Sequence, residues 1–346
     1  MRTLVMAAGL VAAGGAVWAE GVTLTLNTPG GAVLEGGNAV LWGPAAAELG
    51  YEVKIETSDN SLDALRLQVG ANAVSTDIIV MSGYQSAIAA NEGMLAPLDY
   101  NVIDAKDFVE GAATPYCIGI YGYAAVMAWN TKTYPDKAPA SWADFWDTEA
   151  FPGRRAMRAD AEAQVEMALL SQGVAPADLY TVLATEEGMQ RAIDRIAELK
   201  PEIAVWWNSG AQHGQLMLDG EVDMTTGWNG RFQTAKANGG PVEFTYNQGI
   251  LAYDCFAIPA ASQHKEEAMK LINLMSAAKA QAALTGYVAY GPMNKAAFDT
   301  GLIAPEVAAV LPTSPQNSGS MIVQDITWWA ANNDRIQQMF EDMMTQ

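Results

Sequence analysis

Aromatic and charged side chains gather between Glu221 and Pro259, in the stretch EVDMTTGWNGRFQTAKANGGPVEFTYNQGILAYDCFAIP. Trp228, Arg231, Tyr246, Tyr253 and Asp254 lie there at a density that a plain core segment does not need. Tyrosine and tryptophan faces attract alkylammonium groups, and a carboxylate in a desolvated cleft adds a charge-assisted hydrogen bond. Arg231 would oppose a second ammonium but welcome a carboxylate. This chemistry suits capture of a small polar molecule. Turnover lacks its parts: there is no HExxH, G-x-S-x-G, C-x-x-C or Walker loop. His213 and His264 are isolated, each in a stretch read as a surface helix. Two carboxylates would still suffice for a glycosidase-like hydrolase, which stays as the alternative from another class. Neither a cofactor nor a metal site is expected.

The elements that must position these groups alternate in α/β fashion. Strand-like Thr23 to Leu26 precedes the turn Pro29-Gly30-Gly31 and a helix stopped by Gly50. A strand over Tyr51 to Thr57, a helical repeat over Asn60 to Val69 and a short buried strand over Asp77 to Met81 follow. Ser82 and Tyr84 come directly after that strand, beyond its carboxyl end, where open α/β sheets bind ligands. Tyr116 to Asn130 reads as one or two strands crossing between lobes. Ser141 to Asp144 is a capping box. Asp160 suits either an N-cap or an ammonium anchor. Trp206 ends a strand at another glycine-punctuated turn, and Tyr290 sits in the irregular TGYVAYGPMN.

Length and charge narrow the class. The leader MRTLVMAAGLVAAGGAVWA carries Arg2, an apolar run and a small residue at Ala19, the pattern of a cleaved secretory signal. The run is too short and glycine-broken for a membrane anchor. The remaining length exceeds what one hydrophobic core organises, so two lobes are expected. The net charge of -20 becomes -21 once Arg2 is removed, which opposes nucleic acid and anionic lipid as partners. In an oxidising compartment Cys117 and Cys255 suggest a disulfide at the lobe boundary, with two buried free thiols as the alternative.

GEVDMTTGWNGR, LAYDCFAIPA, YGPMN, SWADFWD with FPGRRAMR, and SDNSLDAL followed by DIIVMSGY together resemble the periplasmic spermidine/putrescine-binding proteins of ABC importers. The resemblance covers nearly the whole chain after the leader. It implies a two-lobe type II periplasmic binding fold, with lobes joined by crossing hinge strands, and a monomer that hands its ligand to a membrane permease. Lobe one would comprise 20–127 with 255–302, and lobe two 128–254 with 303–346. By position Ser82, Tyr84, Asp160, Trp228, Asp254 and Tyr290 match the family's ligand residues. Two departures stand out. Ala252 replaces an aromatic two residues before Asp254, with Tyr253 on the opposite strand face, and Ala163 replaces an acid, with Glu162 beside it. The expectation is a periplasmic binder of a polyamine or short cationic amine. The alternative is a zwitterion such as an amino acid, with Asp254 on its amine and Arg231 on its carboxylate.

Overall fold

The computed structural model describes residues 21–58 and 61–346, so the secretory leader expected over 1–19 lies outside the described residues. The strands are β1 Thr23–Thr28, β2 Glu52–Thr57, β3 Ile78–Ser82, β4 Leu95–Ala96, β5 Ile118–Asn130, β6 Arg155–Arg158, β7 Ile203–Trp207, β8 Met224–Trp228, β9 Val242–Pro259, β10 Gly291–Pro292 and β11 Ile322–Val323. The main path runs β2-β1-β3-β9-β5-β8-β6-β7. β1 lies parallel between β2 and β3, and β6 parallel between β7 and β8. Each flank is thus a βαβ unit with its earliest strand in the middle. Between the flanks, β9 and β5 run antiparallel to each other and to β3 and β8. No helix among the described residues is long and apolar enough to cross a membrane.

Burying both faces of parallel strands demands apolar runs such as IIVMS in β3, and two main cores result. One gathers Leu24, Ile78, Val80, Phe256 and Leu271. The other gathers Trp142, Met157, Ile193, Trp329 and Phe340. β5 serves both, with Ile118 and Tyr121 in the first and Ala125 and Met127 in the second. β9 does the same through Phe256 and Ile250. A third link is the C-terminal helix Ile326–Thr345, capped by Asp325, whose Oδ1 accepts the N–H groups of Thr327 and Trp328. Ile326 packs on the first core and Trp328 on the second.

The β5–β9 register departs from regularity twice. Pairing steps from Gly119–Cys255 to Tyr121–Asp254, leaving Ile120 as an extra residue. Such a bulge reverses which face the following side chains take. Tyr121 and Tyr123 therefore share a face with Asp254; unbulged pairing would set Tyr121 opposite Tyr253. Further along, Tyr246 to Gly249 loop out between the pairs Thr245–Met127 and Ile250–Ala125. Gln248 there has φ 58°, uncommon for a residue with a Cβ. Trp142 compensates, donating its indole N–H to the Gln248 carbonyl at 2.9 Å and its backbone N–H to Gln248 Oε1 at 3.3 Å.

Cys117 and Cys255 form the expected disulfide, with Cα atoms 5.7 Å apart. It lies inside the first core, both residues fully buried, and not at the junction between cores where the sequence placed it. Cys117 immediately precedes β5, so the bond ties the first-core ends of the two long strands, next to Asp254. Closing a separation of 138 residues stabilises by about 5 kcal/mol on the chain-entropy model. Cys117→Ala with Cys255→Ala should therefore lower the melting temperature by several degrees while ligand binding survives, because strand pairing still holds Asp254. Melting unchanged by the double substitution would show that the bond does not stabilise the fold.

Candidate functional site

The crossing strands place Asp254 at the floor of a cleft. Its cross-strand partners are Ser82 of β3 on one side and Tyr121 of β5 on the other. The Tyr121 hydroxyl donates to Asp254 Oδ2 at 2.7 Å, and the Tyr123 hydroxyl to Oδ1 at 3.2 Å. Ala252, opposite Tyr123 in register, leaves room on that face for the longer side chain to reach back. Burial pushes the Asp254 carboxyl up to about 6, against the pull of both hydroxyls and with a further push from Glu162. Ser82 Oγ is buried and has no hydrogen-bond partner among the described residues.

From this carboxylate an aromatic wall leads across the cleft. Tyr290 stacks on Tyr121 with centroids 5.3 Å apart and lies 5.7 Å from Tyr123. Tyr123 meets the edge of Trp228 at 5.3 Å. The glycines of TGWNG explain how this fits: a Cβ on Gly230 would stand 2.9 Å from Tyr290 Cε1, and one on Gly227 would stand 2.3 Å from His213 Cδ2. His213 is fully buried, correcting the surface assignment, and its Nε2 accepts the Trp228 backbone N–H at 3.1 Å. Burial pushes it down to about 3, so the ring is neutral and can accept.

At the far end of the wall stand two cations. The Arg158 guanidinium lies 5.2 Å from the Trp228 ring and pairs with Asp160 Oδ2 through Nε at 2.6 Å and with Glu162 Oε2 through Nη1 at 2.8 Å. These two pairs use Nε and Nη1 of the guanidinium. Arg231, in the first turn of helix Asn229–Ala237, is exposed and makes no ion pair among the described residues. The cleft is open to solvent and has a volume of about 390 Å³. Its charged lining is Arg158, Arg231, Glu162 and Asp254.

Six of the residues singled out from sequence line this cavity: Ser82, Tyr84, Trp228, Arg231, Asp254 and Tyr290. Three do not. Strand alternation turns Tyr253 into the first core, where its hydroxyl donates to the Gly111 carbonyl at 2.8 Å. The same alternation sends Trp206 against Phe340, with ring centroids 5.9 Å apart, while its neighbour Trp207 faces His213. Asp160 takes the Arg158 ion pair and accepts the Glu162 backbone N–H at 3.0 Å, a turn role close to the N-cap reading. Tyr246 also points elsewhere, donating to the Val310 carbonyl at 2.7 Å.

Sequence reasoning missed Tyr121, Tyr123, Arg158 and Glu162. The Y-x-Y pattern inside an apolar run was a signal, because period two puts both rings on one strand face. Alternate charges at 158, 160 and 162 were another, since a strand end followed by a turn can bring one guanidinium between two acids.

Comparison with known proteins identifies the family and the fold. Residues 44–310 match the family described as bacterial extracellular solute-binding protein. A γ-aminobutyric acid-binding protein of Pseudomonas aeruginosa is 30% identical over 326 residues, spanning 94% of this chain and 92% of that protein. Spermidine/putrescine-binding periplasmic protein 1 of Haemophilus influenzae is 27% identical over 262 residues, spanning 71% and 69%. The crystal structure of an ABC transporter substrate-binding protein from Bradyrhizobium japonicum matches with a TM-score of 0.87 at 35% identity, covering 93% of this chain and 99% of that one. With its two-core α/β architecture of the type II periplasmic binding fold, the chain belongs to the bacterial extracellular solute-binding protein family.

Proposed function

We propose that this protein is the periplasmic substrate-binding component of an ABC transporter, holding a small zwitterion between two lobes and presenting it to a membrane permease. One observation carries the choice of ligand: the charged groups lining the cavity are two cations and two carboxylates, with Asp254 and the unpaired Arg231 both facing it. A ligand bearing one ammonium and one carboxylate matches that balance. The ammonium sits against Asp254 and Ser82 within the cage of Tyr84, Tyr121, Tyr123 and Tyr290. The carboxylate meets Arg231 and Arg158. Tyr290 is sensitive to both ends, since burial raises its phenol while Arg231 lowers it and Asp254 raises it. A relative named for γ-aminobutyric acid, itself an amine with a carboxylate, supports the reading.

The polyamine expectation is the second reading. It is supported by the relatives named for spermidine and putrescine, and by a tyrosine cage around a carboxylate. A diamine, however, brings a cation to both ends, and its second ammonium meets Arg231. The carboxylate-dependent hydrolase is less favoured, because Glu162 is engaged by Arg158 and Asp254 by two tyrosines.

A thermal-shift screen of the exported form against 4-aminobutyrate, α-amino acids, putrescine and spermidine separates the readings. A zwitterion present at 100 times its Kd should stabilise by about 2.7 kcal/mol. Selective stabilisation by di- or triamines would overturn the zwitterion proposal. Arg231→Asp should weaken binding of the zwitterion by about 1 kcal/mol, the scale of a solvent-screened charge pair, and improve binding of a diamine. The reverse pattern would restore the polyamine reading.

Acidity gives an independent check. Ammonium binding needs Asp254 ionised, and its carboxyl titrates near 6 in the ligand-free protein. Affinity should fall as pH drops through 6, about tenfold per unit below it. Asp254→Asn should bind weakly and lose this dependence; a pH-independent wild-type affinity between 4 and 6 would remove Asp254 from the ammonium site.

A further inference from the structure

One edge of β5 is shared by two short partners, and its ladder breaks between them. β10 pairs Gly291 with Gly122 and Pro292 with Tyr121, while β8 begins its pairing at Trp228 with Ala125. Neither partner reaches Tyr123 or Ala124. Extending the two antiparallel registers brings Ala289 and Asn229 to the same place, opposite Ala124. A backbone N–H left at such a break would be buried without a partner.

Asn229 closes the gap with its side chain, which is fully buried. Its Oδ1 accepts the Ala124 backbone N–H at 2.9 Å, and its Nδ2 donates to the Ala289 carbonyl at 3.2 Å and to the Tyr246 hydroxyl oxygen at 3.1 Å. Tyr246 donates its own hydrogen to the Val310 carbonyl, so its oxygen is left to accept. The amide oxygen and both amide hydrogens are thus engaged. Their partners fix which way the amide points, because a backbone N–H can only donate and a carbonyl can only accept. An aspartate of the same shape would set an acceptor against the Ala289 carbonyl, and a serine is too short to span both segments.

Each anchoring point adjoins one ring of the aromatic wall. Tyr123 precedes Ala124, Trp228 precedes Asn229, and Tyr290 follows Ala289. Tyr290 packs on the first core and Trp228 on the second, so the amide joins parts of the wall that rest on different cores. We propose that Asn229 is a positioning residue of the ligand site: by bridging the break in the ladder it sets the spacing of Tyr123, Trp228 and Tyr290, and through them the affinity. It is not among the residues lining the cleft, so it acts without touching the ligand. The effect on affinity rests on the binding-protein reading given above.

Asn229→Asp and Asn229→Ser test the bridge, first by hydrogen exchange in the ligand-free protein. Exchange should quicken together at 122–125 and 287–291, segments far apart in sequence, while β1 and β2 keep their protection. Unchanged exchange at either segment overturns the proposal. Calorimetry with 4-aminobutyrate, at a temperature where the variants are folded, should then show affinity lowered about tenfold. In a Tyr290→Leu background the same substitutions should cost much less, because a wall already missing a ring has less to position. Equal losses in both backgrounds would show that Asn229 does not act through the wall. Tyr246→Phe removes one partner of the amide and decides the matter should both Asn229 variants fail to fold: exchange at 287–291 should quicken to a smaller degree, and no change there overturns the bridge. Should wild type bind putrescine and not 4-aminobutyrate, the zwitterion reading fails, and the same comparison made with putrescine still decides the role of Asn229.

Discussion

One buried carboxylate, Asp254, sets the terms for the rest of the molecule. A lone anion under a protein surface is costly, and the chain reduces that cost with two tyrosine hydroxyls. Both tyrosines come from β5, and they reach Asp254 only because Ile120 is an additional residue in the ladder. The disulfide next to Asp254 and the pairing with Ser82 then fix the strand that carries it. Local irregularity in one strand has been converted into a polar site on a sheet that is otherwise apolar. The two hydroxyls leave the carboxylate buried, still raised and still ready for a cationic partner.

The opposite end of the cleft follows a different rule. Arg158 is flanked by two acids and arrives nearly neutralised, so it offers direction more than charge. Arg231 makes no ion pair among the described residues, so its charge at the cleft is not offset in this way. Trp228 lies between Arg158 and the tyrosines, with Tyr123 at its edge and Arg158 near its ring. Distance between charge centres along this wall, more than the identity of any one side chain, would set the length of molecule that fits.

Much of this was legible in the residues. The alternation of strands and helices, the position of Tyr84 beyond a strand end, and the glycine-flanked Trp228 all follow from local pattern, and the structure agrees, although it takes Ser82 into β3 as its last residue. Tyr253 and Trp206 were misplaced because type and neighbourhood suggested a site while strand parity decided the face. Tyr121 and Tyr123 were missed for a related reason: their face depends on a bulge, and no local signal in YCIGIYGY marks where the extra residue falls. Arg158 needed knowledge of a turn that folds Asp160 and Glu162 back onto it. The burial of His213 likewise depends on its packing against Trp207 and Phe232, which belong to other elements.

The pairing of β3 with β9 brings Met81 beside Cys255. The N-terminal flank therefore has no completed edge until nearly three quarters of the polypeptide has been made. Cys117 must likewise wait for its partner, so this oxidation cannot precede synthesis of β9. A topology with such distant first contacts folds slowly compared with one built from neighbours. The information that closes the first core is thus withheld until late in the sequence.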